Sequence, residues 1–270
     1  MTQNTLTGKV ILLTGASSGI GWATALELLQ YKPRLALVAR RADKLRELAA
    51  LAKAEGVETL ELPCDVGDRG QCLAAVEAVK RRWGRVDILV NNAGLMATEN
   101  FHAQSLSNVE EVLRVNYLGA ATFIHAVLPG MLERREGHIV NVASIAGLMG
   151  FPYMASYCAS KFALVGLTEA LRREYYGTGI TLTALCPGSV RTPMAEESLK
   201  DERMARVARP KTAEQVARKI VSCCLNRTPE LIYGDAPGLL VRLGKFVPRL
   251  IDWTTHQVYR RIHPLARRPL

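Results

Sequence analysis

The chain has 270 residues, of which 49% are hydrophobic, and its formal net charge is +10. A chain of this length and composition can bury one large core, so we expect a single principal domain. The N-terminus has no apolar targeting segment, and no uninterrupted apolar run approaches the ~18 residues of a membrane-spanning helix. These features predict a soluble, cytoplasmic protein.

The positive charge is concentrated near the C-terminus. Residues 239–270 contain seven basic side chains and one acid, Asp252. This segment has no recognisable base-reading motif, and the charge is not spread over the rest of the chain. We therefore expect no nucleic-acid partner.

The cysteines and histidines do not suggest a metal site. The six cysteines form no CxxC pair, and they show no ligand spacing with the five histidines. A chain of this size does not need disulfides to stabilise its core. We expect reduced, mostly buried thiols and no metal.

Short apolar runs alternate with helical patterns along the chain. The expected strands are 9–14, 34–39, the VETLELP run before Cys64, 86–91, 138–144, 180–187 and the short LIYG run. The expected helices are one directly after the first strand and those at 43–55, 70–83, 108–128, 155–176, 194–207 and 213–225. This alternation predicts an α/β fold with a doubly wound parallel sheet and helices on both faces.

The octapeptide TGASSGIG follows the first strand and opens the next helix. Its glycines are Gly15, Gly19 and Gly21, and Ser17, Ser18 and Ile20 lie between them. Glycine permits a tight turn and a close approach of backbone to a ligand, and helix N-terminal amides bind phosphate. The loop is either a pyrophosphate cradle or a bare turn between strand and helix.

Two arginines, Arg40 and Arg41, follow the second strand. Folds that bind NAD place an acid here for the adenosine ribose, whereas arginine pairs with a 2′-phosphate. The sequence therefore favours NADP(H) over NAD(H). The alternative is that both side chains are solvated at the start of a helix.

Tyr157 and Lys161 are four residues apart on a predicted helix, so their side chains share one helical face. A nearby cation favours the phenolate, which makes Tyr157 a plausible proton donor and acceptor. Ser144 ends a strand at the same sheet edge, where its hydroxyl can hold a substrate oxygen. Alone, a YxxxK pair is more often a surface feature.

Taken in order, TGASSGIG, NNAG at 91–94, Asn116, Ser144, YCASK at 157–161 and PGSVRT at 187–192 resemble the short-chain dehydrogenase/reductase family. The resemblance spans about residues 6–234. It implies a seven-stranded Rossmann sheet in a three-layer α/β/α arrangement, with an NAD(P)-binding catalytic domain at 1–235. Residues 236–270 then form a basic amphipathic extension that is not an independent domain.

The same resemblance implies roles for individual residues. Tyr157 is the expected acid/base, Lys161 lowers its pKa and holds the nicotinamide ribose, and Ser144 orients the carbonyl. Asn116 supports a water linking Lys161 to solvent, and Asn91 braces the central strands. The remaining cofactor contacts are expected from Asp65, Val66, Asn92, Ala93, Gly94, Pro187, Gly188, Val190 and Thr192.

Apolar side chains cluster in sequence near the catalytic serine and tyrosine. The expected pocket residues are Leu95, Met96, Leu148, Met149, Phe151, Met154 and Met194. Such a lining suits a small apolar carbonyl or alcohol such as a steroid, retinoid, long-chain ketone or acyl thioester. The alternative is that these residues fill the core or a subunit interface, since relatives are commonly homodimers or homotetramers.

The C-terminal stretch has apolar residues at helical spacing with basic residues between them, and we expect the pattern to break near Pro248. One interpretation is peripheral contact with an anionic membrane surface. The others are packing across a subunit boundary or over the substrate pocket.

Two functions are consistent with the sequence as a whole. The first is an NADP(H)-dependent oxidoreductase that interconverts a carbonyl and a secondary alcohol. The second is a Rossmann module that senses NADP(H) without turnover. Ser144, Tyr157 and Lys161 favour the enzyme, because a sensor needs no proton donor at the nicotinamide.

Overall fold

Seven parallel strands form the centre of the fold. The computed structural model describes residues 5–196, 209–234 and 246–262. Its strands are β1 (Val10–Thr14), β2 (Arg34–Ala39), β3 (Thr59–Pro63), β4 (Ile88–Asn91), β5 (Gly137–Val142), β6 (Ile180–Pro187), β7 (Val190–Arg191), β8 (Lys211–Thr212) and β9 (Glu230–Tyr233). The order in the sheet is β3-β2-β1-β4-β5-β6-β9, while β7 and β8 form a separate two-stranded sheet. The order reverses between β1 and β4, which confirms the predicted doubly wound Rossmann sheet.

Helices connect successive strands of the sheet, and a further helix follows the last strand. They are α1 (Gly19–Leu29), α2 (Ala42–Ala54), α3 (Arg69–Trp83), α4 (Leu106–Leu113), α5 (Ala120–Arg134), α6 (Ala155–Glu174), α7 (Ala213–Asn226) and α8 (Pro248–Ile262). A π-helical turn at Arg114–Gly119 joins α4 to α5. The helix expected at 108–128 is therefore longer at both ends, and it stops where Arg135 adopts a left-handed conformation with φ 53°.

Both faces of the sheet are buried, which explains why its strands are continuously apolar. In β1, Ile11 and Leu13 belong to the core cluster that α1, α2 and α7 cover. Val10 and Leu12 belong to the opposite cluster, which α3, α5 and part of α6 cover. Because side chains alternate along a strand, one strand supplies both cores and the fold has three layers.

A chain of buried polar side chains links the central strands to α6. Asn91 Nδ2 donates to Asn141 Oδ1 at 2.9 Å, and Asn141 Nδ2 donates to Thr168 Oγ1 at 2.8 Å. All three side chains are buried, so each hydrogen bond offsets the cost of removing these groups from water. This agrees with the structural role expected for Asn91.

One helical stretch, Leu106–Arg134, is long and apolar enough by composition to cross a membrane. The apolar positions of its second half, Phe123, Ile124 and Val127, are buried in the core cluster beneath α3. A core helix of an α/β domain has the same composition, and this packing identifies the stretch as one.

The described helix of the C-terminal segment, α8, begins at Pro248, where the sequence predicts a break in the amphipathic pattern. Proline has no amide hydrogen and its φ suits a helix, so it is favoured in the first turn. The predicted helix at 194–207 and the ends of the 236–270 extension lie largely outside the described residues.

Candidate active site

A cleft of about 470 Å³ lies at the carboxyl edge of the sheet, where loops follow β1, β4, β5 and β6. Parallel strands all end at this edge, so residues distant in sequence converge there. Of the residues assigned to the site from sequence, the cleft is lined by Gly15, Ser17, Ser18, Gly19, Ile20, Arg40, Arg41, Asp65, Val66, Asn92, Ala93, Gly94, Ser144, Tyr157, Lys161, Pro187, Gly188, Val190 and Thr192.

Two assigned residues, Gly21 and Asn116, lie behind the cleft wall. Gly21 is buried, and a Cβ there would collide with the carbonyl oxygen of Gly15. Asn116 Oδ1 accepts from the Leu95 amide at 2.7 Å, while its Nδ2 donates to the Leu95 carbonyl and to Ser160 Oγ. Both residues therefore shape the wall from behind.

Close backbone contacts require the first and last glycines of TGASSGIG, Gly15 and Gly21. Gly15 has φ +70°, and a Cβ there would lie 2.8 Å from the Cα of Ala93. Thr14 Oγ1 accepts from the amides of Asn92 and Ala93, both at 3.0 Å, which clamps the two loops together. The cradle thus brings bare backbone to the cleft wall.

Helix α1 begins at this cradle. Its N-cap residue, Ser18, is extended and makes no side-chain capping hydrogen bond. Uncapped amides at a helix N-terminus, together with the glycine cradle, form an arrangement that suits a pyrophosphate. The residues present therefore fit a dinucleotide.

Arg40 and Arg41 lie beside the phosphate cradle, at the end of β2. Arg41 Nη2 donates to the carbonyl and hydroxyl oxygens of Ser17, at 2.8 Å and 3.1 Å. Arg40 is exposed on the cleft surface. This end of the cleft is therefore basic, and no carboxylate follows β2 directly.

Asp65 lies at the end of β3, where its carboxylate organises the adjoining loop. Asp65 Oδ1 accepts from the Gly67 amide at 2.9 Å, and Arg114 Nη2 approaches Asp65 Oδ2 at 3.9 Å. Arg114 Nε also donates to Glu111, another cleft residue, at 2.8 Å. These contacts fix the wall next to Val66.

Ser144, Tyr157 and Lys161 meet at the opposite end. Ser144 Oγ accepts from the Ala146 amide at 3.1 Å and donates to the Pro187 carbonyl at 3.5 Å. Lys161 Nζ donates to the Val142 carbonyl at 2.9 Å and lies 5.8 Å from the centroid of the Tyr157 ring. Only 4% of Lys161 and 9% of Tyr157 is exposed, so the pair is largely removed from water.

Burial controls the protonation of both groups. It raises the pKa of Tyr157 to about 12, while a hydrogen bond with Ser144 acts in the opposite direction. Burial also lowers the pKa of Lys161 to about 8. The sequence led us to expect a lowered pKa for Tyr157. The structure differs because removal of the phenol from water outweighs the other influences.

The wall around Tyr157 is apolar. Five of the expected pocket residues line the cleft: Leu95, Met96, Phe151, Met154 and Met194. The other two, Leu148 and Met149, pack instead in a cluster with Leu164 and Val165. Their assignment to the pocket was wrong because the 3₁₀ turn after Ser144 directs them towards α6.

Tyr259 also lines this end, and no motif in the sequence marks it. The one feature of the sequence that could have indicated Tyr259 is its position on α8, where Ile251, Thr255 and Tyr259 follow one another at intervals of four residues. Among the described residues, no group of histidines, cysteines and acids is placed to hold a metal ion.

A doubly wound sheet, a glycine cradle at a helix N-terminus and a buried tyrosine-lysine pair define a dinucleotide-binding oxidoreductase. The family model described as short chain dehydrogenase matches residues 9–203. The chain belongs to the short-chain dehydrogenase/reductase family, whose members use nicotinamide cofactors. It is an oxidoreductase of carbonyl and alcohol groups.

Relatives match along most of the chain. Ketoacyl reductase HetN of Nostoc is 34% identical over 96% of this chain and 90% of its own length. Human dehydrogenase/reductase SDR family member 7 is 35% identical over 94% of this chain and 78% of its own length. A short chain dehydrogenase/reductase from Burkholderia phymatum, crystallised in complex with NAD, superposes with a TM-score of 0.83 at 30% identity and covers 93% of this chain and 97% of its own.

Because the ammonium of Lys161 is buried, we expect its contribution to the free energy of unfolding to depend on pH. Its pKa is about 8 in the folded protein and 10.5 in the unfolded chain. Between these values the unfolded state binds more protons, so this group's contribution to stability rises with pH. From about pH 7 to about pH 9.5, the free energy of unfolding should rise by about 2 kcal/mol relative to a Lys161→Met variant.

Urea unfolding of both proteins across this pH range measures the difference. The matched control is Lys53→Met, which removes an exposed lysine on α2 and should give a difference that does not vary with pH. A Lys161→Met difference that is equally flat would contradict the burial of a charged ammonium.

Proposed function

We propose that the chain is an NADP(H)-dependent enzyme that interconverts an apolar ketone and its secondary alcohol. The observation that carries this proposal is a single cleft with a basic glycine cradle at one end and a buried Ser144, Tyr157 and Lys161 set at the other. The apolar wall around Tyr157 favours steroid, retinoid, long-chain ketone or 3-oxoacyl substrates.

Tyr157 is proposed as the acid/base. When bound, NADP(H) supplies or accepts the hydride. A phenol whose pKa is about 12 stays protonated near neutral pH, so in reduction it can donate its proton to the carbonyl oxygen. The Ala146 amide already orients Ser144 Oγ, and the Ser144 hydroxyl hydrogen can turn from its 3.5 Å contact with the Pro187 carbonyl to donate to the same substrate oxygen.

Lys161 is proposed to stabilise the phenolate that Tyr157 leaves behind and to hold the nicotinamide ribose. A cation near a phenolate favours the charged form, and a buried cation acts through a low dielectric. Asn116 is a positioning residue that fixes the Leu95 backbone and Ser160. Ser160 directly precedes Lys161 on α6, so Asn116 anchors this turn of the helix.

The remaining cleft residues are proposed to bind the cofactor. Asp65 and Val66 contact the adenine, and the strip Asn92 to Gly94 forms one wall. The nicotinamide would be flanked by Pro187, Gly188, Val190 and Thr192. The pyrophosphate would be held by Gly15, Ser17, Ser18, Gly19 and Ile20, and Gly21 would support this loop from behind the cleft wall.

The preference for NADP(H) is proposed from Arg40 and Arg41. Two guanidinium groups without an acid after β2 pair with a 2′-phosphate, whereas a carboxylate there would accept from ribose hydroxyls. Arg41 is held against Ser17, so one of the two donors is already oriented before the phosphate arrives. The Burkholderia relative was crystallised with NAD, and this observation applies to the Burkholderia protein only.

The alternative, a sensor that binds NADP(H) without turnover, has less support. A sensor has no use for a phenol buried in an apolar cleft beside a buried ammonium, and burying both groups costs stability.

We also propose a homo-oligomer, with the exposed Leu106, Leu118 and Phe162 of the α4 to α6 region at its interface.

Removing the phenolic hydroxyl should separate cofactor binding from chemistry. In Tyr157→Phe, ketone reduction should fall by about two to four orders of magnitude because no proton donor remains. The dissociation constant for NADPH should stay within about threefold, as measured by fluorescence titration. The control is Tyr31→Phe, since Tyr31 packs against the core away from the cleft. Retained turnover in Tyr157→Phe would refute this mechanism.

Reversing the charge at Arg40 should change cofactor selectivity. In Arg40→Asp the KM for NADPH should rise by about tenfold, because one charge-assisted contact with the phosphate becomes a repulsion. The KM for NADH should change much less. Arg46→Asp makes the same charge change at an exposed site on α2 outside the cleft. Equal shifts for both cofactors would overturn the proposed phosphate contact.

Helix α8 supports a further proposal, peripheral membrane contact of a cytoplasmic enzyme. Leu250 and Trp253 lie on this helix and are 56% and 62% exposed, and Phe246, two residues before the helix begins, is 81% exposed. Arg249 and Arg260 are also exposed. Apolar and basic side chains together suit an anionic lipid surface, where each basic residue adds about 1 kcal/mol.

Flotation with vesicles of phosphatidylglycerol and phosphatidylcholine tests this contact. A Leu250→Ser, Trp253→Ser variant should lose most of its vesicle-bound fraction, and so should a protein that lacks residues 239–270. The control is Leu73→Ser, an exposed leucine on α3. Equal binding by the unaltered and truncated proteins would exclude membrane contact through this helix.

A further inference from the structure

Helix α8 lies outside residues 9–203, the segment that the family model matches. Its half-buried positions include Ile251, Thr255 and Tyr259, which are spaced by four residues. Residues at this spacing share one helical face, so the helix turns a single face towards the body of the protein. Tyr259 lies near the C-terminal end of that face.

Tyr259 reaches the active-site cleft, which Ser144 and Tyr157 also line. Its ring packs against Tyr153, with the two centroids 6.2 Å apart and the planes inclined at 39°. Burial raises the pKa of Tyr259 to about 12, and the nearby Cys158 acts in the same direction. The ring therefore lies on the cleft wall near Tyr153 and Cys158, and it remains uncharged near neutral pH.

Tyr153, the residue that supports this ring, is itself held firmly. It has φ 65°, a left-handed conformation that is uncommon for residues with a side chain. Its carbonyl accepts from the Glu99 amide at 2.8 Å. Tyr153 precedes Tyr157 by four residues, so the contact joins α8 to the segment that positions the proposed acid/base.

The position of Tyr259 separates it from the cofactor end of the cleft. The phosphate cradle and the arginines lie at the ends of β1 and β2, whereas Tyr259 lies next to Tyr153 and Cys158 at the start of α6. The neighbouring wall contains Met96, Phe151 and Met154, which pack around Tyr157 and Cys158. An aromatic ring set among thioethers and a phenylalanine makes an apolar surface with a polar edge.

We propose that Tyr259 is a specificity-determining residue, whose ring forms the wall that contacts the part of an apolar ketone remote from its carbonyl. This inference rests on the proposed function. A compact ketone fills the space near Ser144 and Tyr157 alone, whereas an extended ketone also buries surface against the ring. The extension beyond the family segment thus selects for extended substrates.

Steady-state kinetics with NADPH tests the proposal. Cyclohexanone serves as the compact ketone, and progesterone and a long-chain methyl ketone serve as extended ones. Tyr259→Ala should raise the KM for the extended ketones by about tenfold and change that for cyclohexanone by less than about twofold. Tyr259→Phe keeps the ring and should behave like the unaltered protein.

The matched control is His256→Ala, which changes an exposed residue on the same helix. Dissociation constants for NADPH and melting temperatures should agree among all variants, and Tyr259→Leu replaces Tyr259→Ala if the latter does not fold. Equal KM values for extended ketones in the Tyr259→Ala and His256→Ala variants would overturn the role proposed for Tyr259. This result would not affect the proposed function. An unaltered protein that turns over none of the ketones would overturn the proposed function, and this inference with it.

Discussion

The buried ammonium of Lys161 is the constraint on which the rest of the site depends. A charge with 4% exposure must have a hydrogen-bond acceptor, and the Val142 carbonyl at the end of β5 supplies one at 2.9 Å. Gly94 lies beside the same group, because a Cβ there would be in ordinary contact with Lys161 Nζ at 3.6 Å and with Asn116 Oδ1 at 3.4 Å. The parallel sheet makes the arrangement possible because its strand ends expose carbonyls at one edge.

The cleft is divided into two chemically different ends. One end carries bare backbone amides and two arginines, which suit a charged, phosphate-rich ligand. The other end is apolar apart from Ser144, Tyr157 and Lys161, which suits a substrate whose single polar group is the reacting oxygen. We propose that this division orients both ligands, so that the reacting carbon meets the cofactor beside the phenol.

The fold and most of the site could be predicted from sequence because both depend on local patterns. Apolar strands, the glycine loop and the Tyr157 and Lys161 pair each lie within a short segment whose spacing has a physical meaning. The pocket wall depends on tertiary packing instead. Leu148 and Met149 turn away from the cleft through a 3₁₀ turn, and Tyr259 reaches it from a helix that follows about a hundred residues later. The raised pKa of Tyr157 likewise follows from burial, which the sequence does not display.

The most direct test of the central claim is a measurement of NADPH consumption by the purified protein with a panel of carbonyl compounds. The panel would contain steroid ketones, long-chain ketones and 3-oxoacyl thioesters beside free sugars and 2-oxo acids. We expect NADPH to be consumed with apolar ketones, faster than NADH, with one secondary alcohol formed for each NADPH by mass spectrometry. Tight NADPH binding without consumption on any carbonyl would contradict the account and favour a sensor.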